Sequence, residues 1–253
     1  MSDLIDDLRR RVQAAPSTCV LTGAGMSAES GIPTFRDALT GLWSRFDPMQ
    51  LASEEGFRAD PALVWNWYAE RRAGVRAAEP NAGHRALADF AQRHPGRLTL
   101  VTQNVDDLHQ RAGNTDTIRL HGDILADRWL DDCPRRRHGN ACDTDWAAPG
   151  TPPACTECGN RVRPGVVWFG EALPLAALSA AEDAAAACGL MLVVGTSGAV
   201  WPAAGLAARA RRAGAFVAIL NPQPSEIDDQ AHAVLRGTAA ELLPRLLRDI
   251  EVG

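Results

Sequence analysis

The chain has 253 residues, 46% of them hydrophobic, and a formal net charge of −5, so it can bury one sizeable core and a small second module. A negative charge without any basic run argues against nucleic acid as a partner. No apolar stretch approaches the roughly 20 residues that a bilayer span needs, and acidic residues follow Met1 where a secretory signal carries basic ones. We therefore expect a cytoplasmic protein that makes no membrane contact.

Alternating strands and helices are predicted along most of the chain. Asp3 can cap a helix through about Ala15, and a strand at 18–21 runs directly into a glycine-rich turn at 22–28. The later predicted elements are a helix from Asn81 to about His94, strands at 97–102 and 118–121, a helix at 174–188, a strand at 190–194, a helix at 202–213, a strand at 216–220 and a last helix opened by Thr238 and Glu241. This alternation predicts an α/β fold with a doubly wound, parallel, Rossmann-like sheet.

Two stretches interrupt the alternation. Residues 37–77 are helical in pattern and rich in Trp, whereas residues 123–167 contain clustered cysteines, many Pro and Gly, and little periodicity. We predict that both are insertions that form a smaller second domain, one part helical and the other metal-binding. The main domain would then comprise residues 1–36, 78–122 and 168–253.

The turn after the first strand contains Gly23, Gly25 and Ala28 at the spacing of a dinucleotide-binding turn. Small residues there allow the backbone to approach a pyrophosphate. The dehydrogenase version of this turn also requires an acidic residue at the end of a strand about 20 residues further on. The chain instead has the loop 31–36 in that region, so the turn by itself does not separate a cofactor site from an ordinary tight loop.

Polar residues stand at the ends of two later predicted strands. Gln103, Asn104 and Asp106 follow one strand, and His121 ends the next, at the edge where α/β folds bind ligands. Amide side chains can bond ribose hydroxyls, and a histidine titrates near neutrality and can take a proton from one. Loop capping by Asn and Asp, and a structural histidine, are the alternatives.

Five motifs in order make the chain resemble the sirtuins. They are residues 23–36, 102–106, 120–122, 166–171, and 195–197 followed by Val200 and Pro202. The resemblance covers nearly the whole chain and implies an enzyme that consumes NAD and removes acyl groups from lysine side chains of other proteins.

The resemblance also assigns residues to NAD. The cofactor positions it implies are Gly23, Ala24, Gly25, Ser27, Ala28, Thr34, Phe35, Arg36, Trp43, Gln103, Asn104, Val105, Asp106, Gly195, Thr196, Ser197, Asn221 and Ala239.

His121 takes the role of catalytic base in this resemblance. In the implied mechanism the acyl oxygen attacks the anomeric carbon as nicotinamide leaves. His121 then deprotonates a ribose hydroxyl, which attacks the tethered imidate carbon, and water finally releases free lysine and O-acyl-ADP-ribose. Other activities remain open: an NAD dehydrogenase, an NAD-dependent ADP-ribosyltransferase, or a zinc-dependent interaction module with a degenerate NAD fold.

Four of the six cysteines cluster in the second insertion. Cys155 and Cys158 have the spacing of a zinc knuckle, and Cys133 and Cys142 can complete a tetrahedral site. Four ligands leave no open position, so we predict one structural zinc ion per chain. Eight residues separate the first pair, where related proteins have two, and His138 within that loop is a possible substitute ligand.

The helix that begins near Asp60 contains Tyr68, the one tyrosine of the chain, and Arg71 three residues later on the same face. A phenol and a guanidinium can together bind one carboxylate. The pair matches the Tyr-x-x-Arg of the sirtuin subgroup that removes succinyl and malonyl groups. A surface Tyr–Arg stacking pair, and plain deacetylation, are the alternatives.

The substrate polypeptide is expected to pair as an added strand with the backbone of Val167, Trp168, Phe169 and Gly170 on one side and of residues 197–200 on the other. Affinity from main-chain bonds gives modest sequence selectivity. We expect a monomer whose partners are acylated lysines of other proteins.

Overall fold

The computed structural model describes residues 2–34, 46–132, 147–148 and 150–250. The chain divides into two compact units. Unit 1 comprises Met1–Asp37, Ala78–His121 and Leu173–Gly253, and unit 2 comprises Ala38–Ala77 and Gly122–Ala172.

The strands of the described residues are β1 (Thr18–Thr22), β2 (Leu98–Thr102), β3 (Ile118–Arg119), β4 (Gly122–Trp129), β5 (Ala147–Ala148), β6 (Ala154–Cys155), β7 (Val162–Val166), β8 (Leu190–Val194), β9 (Phe216–Leu220) and β10 (Ala233–Leu235). The α-helices of the same residues are α1 (Ser2–Ala14), α2 (Pro48–Leu51), α3 (Glu54–Ala59), α4 (Pro61–Ala77), α5 (Ala82–Arg93), α6 (Leu108–Ala112), α7 (Leu175–Ala187), α8 (Gly205–Arg212) and α9 (Ala239–Leu247). None of these helices combines the length and the apolar character of a bilayer-crossing helix.

Unit 1 contains a parallel sheet of six strands in the order β3-β2-β1-β8-β9-β10. The chain builds outward from β1 in one direction through β2 and β3, then returns to the other side of β1 and continues through β8, β9 and β10. This order is that of doubly wound dinucleotide-binding folds, and the reversal creates a crevice outside the carboxyl ends of β1 and β8. The predicted α/β class is confirmed.

Helices cover both faces of this sheet because its strands are apolar on both sides. Val20 packs into a core with α1, α5 and α9, whereas its neighbour Leu21 packs into a core with α7 and α8. Successive side chains of a strand point to opposite faces, so an uninterrupted apolar strand requires a helical layer on each side.

Predicted and observed elements of unit 1 differ mainly at their ends. The strand predicted at 118–121 is only Ile118–Arg119, and the helix predicted from 202 begins at Gly205. The sequence did not predict the third strand of the returning half, β10, which is only three residues long.

Unit 2 contains α2, α3 and α4 and two antiparallel strand pairs, β4 with β7 and β5 with β6. The ladder between β4 and β7 shifts register between Asp123 and Asp127. Buried Arg72 of α4 donates to the carbonyls of Ile124 and Ala126 within that irregularity, at 2.6 and 2.9 Å. The guanidinium therefore satisfies backbone acceptors that the ladder does not use.

Residues 168–172 belong to unit 2, although the sequence placed them with the main domain. The reason is their bonding: Trp168 donates to Tyr68 of α4, and the Phe169 amide donates to the carbonyl of Ala52.

Candidate functional site

The glycine turn after β1 packs directly against the turn after β8. The amide of Gly23 donates to the carbonyl of Val194 at 2.9 Å, and that of Gly25 donates to the carbonyl of Gly195 at 2.8 Å. A Cβ atom on Gly23 would lie 2.7 Å from the Thr196 Cβ, and one on Gly25 would lie 2.8 Å from the Gly195 Cα. Glycine is required here because two backbone turns touch at the point where the sheet order reverses.

This packing adds to the sequence interpretation of the turn and corrects it in one respect. The space that a Cβ of Gly23 or Gly25 would need is filled by the turn after β8, so close backbone packing is a second reason for glycine here. The turn also continues as two short 3-10 segments, Ala24–Met26 and Ala28–Ser30, so no α-helix begins there.

A buried hydrogen-bond network links this turn to the residues after β2. The Ser27 hydroxyl donates to Asp106 Oδ2 at 2.9 Å and accepts from the side-chain amide of Asn104 at 3.1 Å. His84 Nε2 lies 3.5 Å from the same hydroxyl. The Asn81 backbone amide donates to His84 Nδ1 at 3.3 Å, so the hydrogen of the neutral ring lies on Nε2 and points at Ser27.

Asp106 is the acidic end of this network. Burial raises its pKa, and bonds from the Leu108 amide and the Ser27 hydroxyl oppose that rise. Arg119 donates to the carbonyls of Val105 and Asp106 at 2.9 and 3.0 Å and also favours the carboxylate. The loop is therefore fixed through its backbone as well as its side chains.

A second buried chain of hydrogen bonds lies behind the same loop. His109 Nε2 lies 3.0 Å from the Thr22 hydroxyl, which donates to the Thr102 hydroxyl at 2.8 Å. The backbone amide of Asn104 donates to the same Thr102 hydroxyl at 3.0 Å. His109 packs against His84 with ring centroids 4.8 Å apart. These bonds join the carboxyl ends of β1 and β2 to the loop.

His121 follows β3 and is oriented by the backbone. Its Nδ1 lies 2.8 Å from the Gln103 carbonyl oxygen, which can only accept, so Nδ1 carries the hydrogen and Nε2 carries the free lone pair. Burial lowers the pKa of His121, so the ring is neutral at neutral pH. The Gln103 side chain donates to the Thr196 hydroxyl at 3.1 Å and links the ends of β2 and β8.

The ends of β8 and β9 add further polar groups. The Asn221 side-chain amide donates to the carbonyls of Thr196 and Gln223 at 3.3 and 2.8 Å. Ala239 is buried at the first turn of α9, whose cap is the Thr238 hydroxyl bonded to the Glu241 amide. The carboxyl ends of β1, β2, β8 and β9 and the residues after β3 therefore supply one continuous group of donors and acceptors in unit 1.

In unit 2, Tyr68 and Arg71 lie on α4 as predicted from their spacing. Tyr68 is 3% exposed, and the Trp168 indole N–H donates to its hydroxyl at 3.0 Å. The Arg71 guanidinium lies over the Trp67 ring at 4.7 Å and 5.8 Å from the Tyr68 ring centroid. Burial raises the pKa of Tyr68, so the phenol keeps its hydrogen and can donate it.

The segment 167–170 already uses part of its backbone within unit 2. The Phe169 amide donates to the Ala52 carbonyl at 2.9 Å, and the Trp168 amide donates to the Glu171 carboxylate at 2.8 Å. The Phe169 side chain is 44% exposed, whereas Trp168 is buried. Strand addition along this segment can therefore use only the remaining backbone groups and the exposed Phe169 ring.

Comparison with known proteins gives the family. The Sir2 family model matches residues 23–202. The chain belongs to the Sir2 family. It is 53% identical to an NAD-dependent protein deacylase of Ralstonia nicotianae over 94% of each chain, and 50% identical to one of Methylococcus capsulatus over 96% of each. The family predicted from the five motifs is confirmed.

Solved Sir2 structures share the fold. A Sir2 homologue in complex with NAD aligns with a TM-score of 0.84 at 40% identity, over 97% of this chain and 93% of that one. Sir2Tm bound to a propionylated peptide aligns with a TM-score of 0.81 at 28% identity, over 97% and 98% of the two chains.

Some residues that the Sir2 resemblance implied cannot be placed. Phe35, Arg36 and Trp43 of the cofactor group, and Cys133, Cys142 and His138 of the metal group, lie outside the described residues. Within the residues that are described, no three His, Cys, Asp or Glu side chains come together as metal ligands.

The described half of the predicted zinc site is a tight turn. The Cys155 amide donates to the Asn160 carbonyl at 2.7 Å, and the Gly159 amide donates to the Cys155 carbonyl at 2.9 Å. Gly159 has a φ of +74°, which glycine adopts without strain. Trp129 packs against buried Cys155, as does Cys158, so the turn is attached to the end of β4.

Sequence reasoning gave no role to His84 and His109, which the structure places in the hydrogen-bond networks around the loop after β2. A signal existed for His84, since Asn81 caps α5 and a residue three positions on can complete a capping box. Arg119 was also missed, because its contacts are to backbone carbonyls that no side-chain pattern shows.

Proposed function

We propose that this Sir2-family chain is an NAD-dependent protein-lysine deacylase that removes succinyl and malonyl groups, and acetyl groups less efficiently. The observation that carries the reaction type is His121, a neutral, buried histidine whose Nδ1–H is fixed by a backbone carbonyl, so that Nε2 is a ready proton acceptor. The observation that supports the acyl preference is the buried Tyr68, whose ring centroid lies 5.8 Å from the Arg71 guanidinium.

The polar groups at the strand ends of unit 1 fit NAD. Gln103, Asn104 and Asn221 present amide groups of the kind that bond ribose hydroxyls and the nicotinamide carboxamide, and Asp106 presents a fixed carboxylate. The turn of Gly23–Ser27 lies at the same strand ends, and we place the phosphates of NAD beside it. NAD supplies an electrophilic anomeric carbon with nicotinamide as its leaving group.

His121 moves the essential proton in this proposal. Its Nε2 accepts a proton from a ribose hydroxyl, which makes that oxygen nucleophilic toward the acyl carbon. The resulting imidazolium keeps its Nδ1–H bond to the Gln103 carbonyl, so the charge that forms is stabilised in place. General base assistance of this kind contributes about 10²- to 10⁴-fold in rate.

Tyr68 and Arg71 recognise the carboxylate of a succinyl or malonyl group. A charged hydrogen bond contributes roughly 1.5–3 kcal/mol when it replaces water in a partly dry site. An acetyl group has no carboxylate for these side chains to pair with, so it gains none of this energy. The substrate backbone pairs with the groups of 167–170 that unit 2 leaves unused.

A structural zinc ion is part of the proposal. Two thiols on the hydrogen-bonded turn of Cys155 and Cys158 are a donor set that suits zinc, and Cys133 and Cys142 supply the other two ligands. A site closed by four thiolates stabilises the fold and takes no part in the reaction.

A panel of peptides with one sequence and acetyl-, malonyl-, succinyl- or glutaryl-lysine tests the function by mass spectrometry, with and without NAD. We expect NAD-dependent removal, fastest for succinyl and malonyl. The chain contains no lysine, since all 26 of its basic residues are arginine, so every acyl-lysine signal belongs to the peptide. Removal without NAD, or transfer of ADP-ribose to the peptide with the acyl group retained, would refute the proposal.

A further inference from the structure

We propose that Trp168 is a positioning residue for acyl selectivity, because its indole N–H sets the direction in which Tyr68 donates its hydroxyl hydrogen. The inference rests on the proposed preference for acidic acyl groups. It concerns a side chain that the sequence placed only in the substrate strand.

The indole N–H is a donor and has no acceptor capacity, so in the 3.0 Å contact with Tyr68 the phenol oxygen must accept. The Tyr68 hydrogen therefore points away from Trp168. Both side chains are buried, at 2% and 3% exposure, so bulk water does not compete for these groups. A phenol that accepts from a fixed donor is preorganised to donate to an acceptor that enters from another direction.

The Trp168 ring is itself held on two sides. The Arg163 guanidinium lies over the ring at 3.3 Å from its centroid, and the Phe57 ring packs at 5.3 Å with a 40° tilt. The Trp168 backbone amide donates to the Glu171 carboxylate at 2.8 Å. The indole therefore has little freedom to turn its N–H away from Tyr68.

Arg163 is already engaged within unit 2. It forms a two-point ion pair with Glu171, whose carboxylate also accepts from Arg128 at 2.8 Å, and the same guanidinium donates to the Val166 carbonyl at 2.8 Å. Arg163 thus orients the indole, whereas the Arg71 guanidinium lies 5.8 Å from the Tyr68 ring centroid. An acidic acyl group at Tyr68 would meet the Arg71 cation and an O–H donor of fixed direction.

Trp168→Phe tests the inference, because it keeps an aromatic ring in the same packing and removes only the N–H donor and part of the ring. kcat and KM are measured on succinyl- and acetyl-lysine peptides of one sequence. We expect the succinyl-to-acetyl ratio of kcat/KM to fall about three- to tenfold, mainly through a higher KM for the succinyl peptide. Trp65→Phe is the control: it removes the indole N–H of another tryptophan, on α4, and should leave the ratio unchanged.

A double-mutant cycle separates orientation from packing. In a Tyr68→Phe background, Trp168→Phe should cause no further change in the ratio, because the hydroxyl it orients is gone. An equal fall in both activities, or the same fall in both backgrounds, would overturn the proposal.

The outcomes also separate this inference from the proposed function. If Tyr68→Phe lowers the ratio but Trp168→Phe does not, the acyl preference stands and the positioning role is wrong. If Tyr68→Phe and Arg71→Met both leave the ratio unchanged, the acidic-acyl function itself fails.

If Trp168→Phe fails to fold, the direction of the Tyr68 hydroxyl can be tested in the unmodified protein, because Tyr68 is the one tyrosine of the chain. With ¹³Cζ-labelled tyrosine, the single phenol signal should move on addition of succinyl-lysine peptide and stay in place with acetyl-lysine peptide. A signal that responds equally to both peptides would contradict a hydroxyl directed at the acyl carboxylate.

Discussion

Each unit sets the direction of one hydrogen: the Nδ1–H of His121 in unit 1 and the hydroxyl hydrogen of Tyr68 in unit 2. The partners that set these directions differ in kind. In unit 1 the acceptor that orients His121 is a backbone carbonyl, and the loop around it is held by further backbone and hydroxyl bonds. In unit 2 the donor that orients Tyr68 is a side chain 100 positions away in sequence, held in turn by Arg163. Changes of side chain in unit 2 should therefore alter selectivity, whereas changes near His121 in unit 1 should affect the use of every acyl group.

The largest expected effect is that of His121→Ala. Removal of the base should lower deacylation of every acyl peptide by about 10²- to 10⁴-fold. NAD binding, measured by calorimetry, should change less than about threefold, because the amide and hydroxyl groups of the crevice remain. A variant that keeps a tenth of the activity would show that another group is the base.

Arg71→Met should act on one class of substrate only. Loss of the cation should weaken use of the succinyl peptide by about ten- to a hundredfold, while acetyl-lysine hydrolysis stays similar or improves slightly. The ratio of the two rates cancels any general loss of folded enzyme. Equal losses on both substrates would mean that Arg71 and Tyr68 form a structural pair.

Glycine-to-alanine substitutions compare the backbones of the two units. Gly25→Ala should destabilise the protein by about 1–3 kcal/mol and weaken NAD binding, because its Cβ would lie 2.8 Å from the Gly195 Cα. Gly74→Ala, at an exposed position of α4 with no atom within 4 Å of the new Cβ, should instead stabilise by about 0.5–1 kcal/mol. Urea denaturation measures both, and a tolerated Gly25→Ala would contradict the close contact of the two turns.

The last expected effect is a pH dependence of stability in unit 1. Burial lowers the pKa of His84 to about 4 and of His109 to about 3, whereas both are about 6.5 in an unfolded chain. Below about pH 6.5 the unfolded chain binds protons that the folded chain excludes, so stability falls as the pH falls toward 4.

The midpoint of thermal unfolding measures that loss. The contribution of the neutral rings is fully present above pH 6.5. His109→Gln, which keeps a donor for Thr22 but does not titrate, should flatten the decline. The same slope in the variant and in the unmodified protein would show that His109 does not cause it.

Strand ends explain why the residues of unit 1 were predictable from sequence. Carboxyl ends of parallel strands meet at one edge, so the strand pattern alone groups Gln103, Asp106 and His121. The glycines were predicted from the spacing of a dinucleotide-binding turn, which gives only part of the reason for them. A motif cannot show that Gly195 fills the space beside Gly25. The site assignments themselves remain predictions.

Unit 2 was harder to predict because its contacts join residues distant in sequence. Spacing along one helix pairs Tyr68 with Arg71, but no periodicity indicates that Trp168 reaches the same hydroxyl. The pairing of β4 with β7 was also not predicted, because it too depends on residues distant in sequence. Its ladder is interrupted at Asp123, and a helix arginine, Arg72, completes the hydrogen bonding there.

The measurement that tests the central claim most directly is the product balance of one reaction with NAD and a succinyl-lysine peptide. The proposed function predicts equal amounts of nicotinamide, free lysine peptide and succinyl-ADP-ribose, with the last two lowered by about 10²- to 10⁴-fold in His121→Ala. Nicotinamide released without loss of the succinyl group, or free succinate formed without any succinyl-ADP-ribose intermediate, would contradict it.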